Sequence, residues 1–495
     1  MVLFIILLIV LLYLWHKFCA PNSRMKELGD KLPGPRPIPV LGNGLAFLTS
    51  KTLVKALDDL CQSYGPVMRL WLGSKLWICL CDPEDIGAFL NSSTHLNKSD
   101  LLRLLDSWLG TKGLVTGDAD VWRVHRKKLT PSFHFDILRD SLNIIRTNAK
   151  ILCNQMKAEM ERPEFDIMEY IEKCSLDIIG ETAMGIKLNT QTVRYSVYLE
   201  SLKQVKKSTI RRLFQAWLHP EIIFRMSRYG KLYYEKLGII KSEVQKIIMD
   251  RRRFLKDKMT DNHSEGVEKN KIFLDFMLTQ GDFTDEEIEN EVETFMFAGQ
   301  DTIVATLSFC LFELSQHSDI QDRCYNEIIN VIGENLENTN VQDFKNLKYL
   351  ENVINETLRL YTPVPLIARK VEEDIRLPSN YVLPAGSAVN FNLLALHRNK
   401  KYFPKAEEFI PERFDDRDMY SQGFNFVPFS AGPRNCLGQK FAMLEMKVVL
   451  SVILLHYRLL PSEHVKELTL ETGIVLQSLE NFPVRITTRN IRATY

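Results

Sequence analysis

The stretch Phe429-Ser-Ala-Gly-Pro-Arg-Asn-Cys-Leu-Gly438 puts a cysteine at the mouth of a helix that runs from Leu437 to Tyr457 and opens just after Gly432-Pro433. At such a mouth the free amides and the helix dipole favour an anion, which lowers a thiol pKa, and the thiolate is the form of cysteine that ligates metal. Phe429 can shield the Cys436 sulfur on one side, Gly432 and Gly438 let backbone amides approach it, and Arg434 offers a cation to a nearby anion such as a carboxylate. The form F-x-x-G-x-R-x-C-x-G arises by chance on the order of once in ten thousand chains of this length. A buried, inert cysteine accounts for any one Cys but not for this set of neighbours. A nucleophilic cysteine needs a His base, and none of the 10 His lies close in sequence, which leaves a spatial neighbour open.

A second group, Ala298-Gly-Gln-Asp-Thr302, lies on an apolar helical stretch. Gly299 weakens a helix by about 1 kcal/mol relative to Ala, so its presence there suggests close approach by a ligand or planar cofactor. Thr302 can hydrogen-bond dioxygen or a water beside it, and Asp301 can deliver protons through such a network. Trp122 and Arg126 are one helical turn apart, able to bond one anionic group. Glu356 and Arg359, at i,i+3, share a helix face.

These groups need elements to position them. Thr284-Asp-Glu-Glu287 is a capping box opening a helix to about Gln316, some 48 Å long, whose second half is apolar almost all round and must cross the core. Ser318-Asp-Ile-Gln321 reads as the cap of another helix, and a further one, about Leu347 to Tyr361, stops before Pro363. Pro66 to Leu72 and Lys75 to Leu80 form a hairpin about Gly73-Ser74. Cys79 and Cys81 make a C-x-C, but they sit in this alternating stretch with no His/Cys pair at zinc-finger spacing after them, so the strand reading prevails. The polar segment Lys256 to Lys271 reads as a solvated loop. The class is mostly α with a small β region.

Lys+Arg 63 against Asp+Glu 62 gives a net charge of +1, with no basic excess to support nucleic-acid binding. With 45% hydrophobic and 25% charged residues, disordered, collagen-like and disulfide-scaffold classes are excluded. The 9 cysteines are odd in number and scattered, which suits a reducing compartment. Val2 to Trp15 is an apolar run of about 21 Å as a helix, short against a hydrocarbon core of about 30 Å. It lacks the basic n-region of a cleaved signal, and Lys17, Arg24, Lys26, Lys31 and Arg36 follow it, so the expectation is an uncleaved anchor with the body in the cytosol. The prolines between Leu32 and Val40 predict a stiff, extended spacer. The expected organisation is an anchor at 1–20, a basic, proline-rich hinge at 21–45 and a single domain at 46–495. Sequons at Asn91, Asn97 and Asn262 would oppose a cytosolic body if glycosylated, and a fourth, at Asn355, falls inside a helix.

On these motifs and their order, the chain resembles a cytochrome P-450, a haem-thiolate monooxygenase, along essentially its whole length. The resemblance implies the cytochrome P-450 fold, with a long central helix over haem b (iron protoporphyrin IX) and Cys436 as axial thiolate. It implies that Trp122, Arg126, Arg369 and Arg434 grip the haem propionates, with Phe429 and Gly438 beside the ligand. Pro411-Glu-Arg-Phe414 brings Arg413 to complete a structural Glu356–Arg359–Arg413 network. Thr302 and Asp301 take the catalytic roles in oxygen activation. Glu291 to Thr302 and Phe441 to Lys447 are similar to family four, the clan of fatty-acid ω-hydroxylases. Many of its members carry, at the position of Ala298, a Glu that esterifies a haem methyl. Alanine cannot, so the haem is expected to be noncovalent, and the inference to ω-regiospecificity weakens with it. Ile303 replaces the Thr or Ser often found after the relay threonine.

By order, the substrate pocket draws on the Leu101 to Leu114 region, Ala298, Val364, Leu366 and Val475, an apolar set implying a lipophilic substrate: a fatty acid or similar lipid, an isoprenoid or a xenobiotic. With no flavin or nicotinamide fingerprint present, NADPH-derived electrons must arrive from NADPH-cytochrome P-450 reductase, with cytochrome b5 a further donor. Arg123, Lys127, Lys128, Lys440 and Lys447 form the expected docking face. The implied location is the endoplasmic reticulum membrane, on the cytosolic side. Two alternatives stay open: a haem-thiolate hydroperoxide isomerase or dehydratase, and a noncatalytic haem-binding lipid carrier or sensor.

Overall fold

In the computed structural model, residues 23–38, 42–44, 52–133, 135–193, 196–260, 272–279, 282–416 and 423–489 are described. The run Val2 to Trp15 and the sequon at Asn262 lie outside them. The helices that position the site are α1 (Ser23–Asp30), α2 (Leu53–Tyr64), α3 (Ala119–Leu129), α4 (Ile167–Ala183), α5 (Val197–Phe214), α6 (Asp285–Gln316), α7 (Ser318–Val331), α8 (Lys348–Leu360) and α9 (Gln439–His456). The strands are β1 (Val67–Leu72), β2 (Lys75–Leu80), β3 (Leu366–Lys370) and β4 (Ala388–Asn392), in the order β1-β2-β4-β3, with β2 and β4 parallel and the outer pairs antiparallel.

The reciprocal bonds of a capping box, from the Glu287 amide to the Thr284 hydroxyl and from the Thr284 amide to the Glu287 carboxylate, start α6. Its 32 residues pass between two apolar clusters. Ile288, Val292, Met296 and Phe297 pack with Leu202 and Val205 of α5, and Ile303, Val304, Leu307 and Leu311 pack with Val449, Leu450 and Ile453 of α9. By length and apolarity α6 would suffice to cross a membrane, yet 78% of its most apolar stretch is buried in the protein, which marks it as a core helix.

The period-2 alternation of β2 separates two faces. Leu76, Ile78 and Leu80 join Val389 and Phe391, while Cys79 joins Met68, Leu70 and, from α2, Leu57. The stretch around Pro33 and Pro35 is non-helical, as its prolines predict, but it lies along β1: the Arg69 amide donates to Pro33 O and its guanidinium to Pro35 O. Two expectations need correction. Ser318 does not cap α7; the chain leaves α6 through His317 alone, so Ser318 is already helical, and Gln321 instead donates to Leu314 O and Leu459 O. The start of the supposed loop, residues 256–260, continues the helix Arg228–Thr260.

Candidate active site

A cavity of about 1530 Å³ opens between the start of α9, the middle of α6, β3 and the 98–115 segment. Small-molecule sites span roughly 300–1,000 Å³, so this one has room for a large planar group together with a second molecule. Cys436, Phe429, Gly438, Trp122, Arg126, Arg369, Arg434, Thr302, Ala298, Leu114, Val364, Leu366 and Val475 all line it. Asp301 does not.

The cysteine loop depends on one glycine. Gly432 has φ +71°, and a Cβ there would lie 2.0 Å from Leu90 O, so the conformation and the close approach both demand glycine. What it approaches is this carbonyl, not the sulfur as expected. Past this turn the Cys436 amide donates to Phe429 O at 2.9 Å. Cys436 lines the cavity and its side chain is accessible from it; the protein around the cavity pushes its thiol up, while the Gly438 and Gln439 amides and the Arg126 charge pull it down. The lowering expected from the helix mouth is present in the Gly438 and Gln439 amides and acts against desolvation. Arg126 itself clasps the loop, donating to Asn435 O and to Asn435 Oδ1 at 2.8 Å each. Trp122 lies under the Arg434 guanidinium, 4.7 Å from ring centroid to Cζ. No histidine hydrogen-bonds Cys436 among the described residues, so a Cys–His nucleophile has no support.

Three cations converge beside this loop. Arg369 is buried, and among the described residues its guanidinium donates to the adjacent Ala368 O alone. Arg434 donates from Nη2 to Gly117 O at 2.7 Å, while its Nε and Nη1 are buried without partners among the described residues. Burial holds Lys98 well below the usual lysine range, and repulsion from Arg369 and Arg434 adds to this. Burial likewise draws Arg369 down, and Arg434 too, with Arg369 repelling it. Cations crowded together in this way, two of them buried and Arg434 with unpaired buried donors, require anionic partners. The two carboxylates of a porphyrin fit that requirement, and a soft sulfur in the same cavity fits its iron. Lys98 was not legible in the sequence: a single lysine within a sequon carries no signal. The Asn97 amide in that sequon is engaged, donating to Glu372 and accepting from the Ala119 amide.

On α6, the Thr302 hydroxyl donates to Ala298 O at 2.9 Å and faces the cavity. Asp301 instead accepts from the Lys206 ammonium of α5 at 2.6 Å, with both side chains under a tenth exposed. The carboxylate expected to serve the cavity is thus turned away and neutralised. Gly299 lines the cavity, and a Cβ there would also meet Ile179 Cδ1 of α4 at 2.8 Å, so helix packing adds a second reason for glycine to the one expected.

Behind the loop, Arg359 donates to both Glu356 carboxylate oxygens at 2.7 and 2.8 Å and to His397 O and Ala406 O, and Arg413 donates to Glu356 Oε1 at 3.0 Å. Glu356 and Arg359 are fully buried. On the expected docking face, Arg123, Lys127 and Lys440 are exposed, and Lys128 is partly so. Lys447 is buried instead, donating to Phe344 O and Glu351, and cannot contribute.

A family model described as "Cytochrome P450" matches residues 32–483. Among curated proteins, the chain is similar to Cytochrome P450 4c21 of Blattella germanica, 35% identical over 89% of this chain and 90% of that protein. It is 36% identical to Cytochrome P450 4d2 of Drosophila melanogaster, over 87% and 89%, and 35% identical to Cytochrome P450 4V2 of Homo sapiens, over 94% and 93%.

Proposed function

Because this chain belongs to the cytochrome P450 family of haem-thiolate monooxygenases, we propose that it holds haem b noncovalently through Cys436 and inserts one atom of dioxygen into a lipophilic substrate, with NADPH-derived electrons from a reductase. The observation that carries the cofactor reading is the set of buried Arg369 and Arg434 with half-buried Lys98, in the cavity that Cys436 lines. When bound, haem supplies the redox and oxygen-activating chemistry. The chain supplies the rest. Lys98, Arg369 and Arg434 neutralise carboxylates, Trp122 packs under Arg434, and Arg126 fixes the cysteine loop through Asn435. The Thr302 hydroxyl, parked on Ala298 O, can swing to hold a proton at Oγ1 facing the cavity. Asp301 can replenish it only by leaving Lys206. Ala298 has no carboxylate with which to form an ester, which supports noncovalent retention.

The apolar wall of Leu101, Leu102, Leu114, Val364, Leu366 and Val475 supports a lipid-like substrate. Phe214 and Ala216 line the cavity, and beside them Trp217, Ile222, Ile223 and Met226 are 49 to 75% exposed. Such an apolar surface supports location at a membrane, from which a lipophilic substrate can enter. Arg123, Lys127, Lys128 and Lys440 remain as the face for an acidic reductase.

Replacing Thr302 with Ala tests the reading. The variant should still oxidise NADPH in the presence of reductase and diverts a larger share of it to hydrogen peroxide. An isomerase acting on hydroperoxides would keep its full rate, and that result would overturn the monooxygenase assignment.

A further inference from the structure

The C-x-C of the first hairpin has a third member that sequence spacing did not reveal. Cys79 in β2 and Cys81 just beyond it are at i,i+2 and so share a sheet face, and α2 packs across that face, placing Cys61 over them. The three sulfurs lie within 4.8 Å of one another, with Cys61 Sγ and Cys81 Sγ 3.2 Å apart. Cys79 and Cys81 are buried, Cys61 partly so, and Leu57, Met68, Leu70 and Trp77 surround them. The Asn392 amide reaches Cys61 Sγ at 3.8 Å.

We propose that Cys61, Cys79 and Cys81 form a binding site for a trivalent, thiophilic centre of the arsenite class, held by three sulfurs. Three arguments select this ligand. The first is softness: an all-sulfur set in an apolar pocket favours thiophilic elements over hard cations. The second is charge. Three thiolates around a divalent or monovalent ion leave net negative charge in that pocket, which is costly, whereas three around a trivalent centre leave none. Zinc would also need a fourth ligand, and the cluster among the described residues has only these three. The third is geometry: with bonds of about 2.3 Å, as for Zn–S, near-right-angled bonding puts sulfurs about 3.3 Å apart and trigonal bonding about 4.0 Å. The closest sulfur pair matches the pyramidal case.

The reaction balances without an oxidant. Arsenous acid gives up three As–O bonds and forms three As–S bonds, each thiol proton leaves with a hydroxide as water, and no electron moves. Cys61, the partly exposed member of the three, is the sulfur from which the exchange can begin. Cys79 also lines the main cavity, which gives neutral arsenous acid a route to it.

Haem-loaded protein, reduced and kept anaerobic, is treated with arsenite and weighed intact by native mass spectrometry. The expected product is one adduct per chain with the mass of one arsenic less three hydrogens, reduced at least tenfold in Cys61→Ser and in Cys79→Ser and unchanged in Cys19→Ser. The haem absorbance of each variant checks its fold. If Cys79→Ser fails to fold, wild-type protein serves: arsenite should block iodoacetamide labelling of Cys61. Absence of the adduct at arsenite excess, its persistence in both variants, or a Cys61–Cys81 disulfide in the reduced protein would each overturn the proposal.

Discussion

The pair Lys206–Asp301 gives a quantitative test of how the central helix is held. At 2.6 Å, with an effective dielectric of about 20, the attraction is about 6 kcal/mol, most of which offsets the desolvation of two groups under a tenth exposed. The net value of the intact pair is small, but a lone buried charge is expensive. Lys206→Met should therefore cost about 3–5 kcal/mol, since it strands the Asp301 carboxylate. Asp301→Asn should cost less, about 1.5–3 kcal/mol, because an amide oxygen still accepts from Lys206. The double variant strands no charge and should be more stable than Lys206→Met alone, a coupling of at least about 1.5 kcal/mol. Urea unfolding of the haem-loaded proteins, followed by tryptophan fluorescence at a common m value, measures all four corners. Single effects that add to within about 0.5 kcal/mol would refute a direct buried pair.

Three further outcomes follow from local geometry. Gly432→Ala places a methyl group 2.0 Å from Leu90 O at φ +71°, so the cysteine loop cannot close and purified protein should lack the thiolate-type ferrous carbonyl spectrum; retention of that spectrum would contradict the loop geometry. Denaturing acidic extraction should remove all haem from the chain, because Ala298 offers no ester, and haem remaining on the polypeptide would refute this. Burial, with the Arg359 charge adding to it, pulls His397 down to about 3, and its Nε2 accepts from the Val427 amide. The unfolded histidine protonates below about 6.5 while the folded one stays neutral, so this stability is complete above 6.5 and falls by about 1.4 kcal/mol per pH unit down to 3. In urea titrations between pH 7 and 4.5, His397→Phe should lose one proton of that slope, and an unchanged slope would show that His397 is not the group responsible.

The parts of the molecule visible in its sequence are those where one local rule has no competitor. The Thr284–Glu287 box caps α6, and the alternation of Lys75 to Leu80 is a strand, because capping and pleating act over a few residues. The Cys436 loop was legible because its Gly and Arg neighbours are each needed for a separate reason. What stayed hidden depends on residues distant in sequence. Asp301 was assigned to the cavity by its neighbour Thr302, but successive residues on a helix face about 100° apart, and Lys206, 95 positions away, decides where the carboxylate goes. Lys447 looked like surface until Glu351 and Phe344 O supplied its partners. Cys61, a helix residue 18 positions before Cys79, becomes its neighbour only when α2 folds over the sheet.

Because α6 contributes side chains to both apolar clusters at once, neither can keep its packing if that rod frays. Within these two clusters neither half can melt alone, so cofactor loss and the unfolding of both should arrive together, as one transition rather than two.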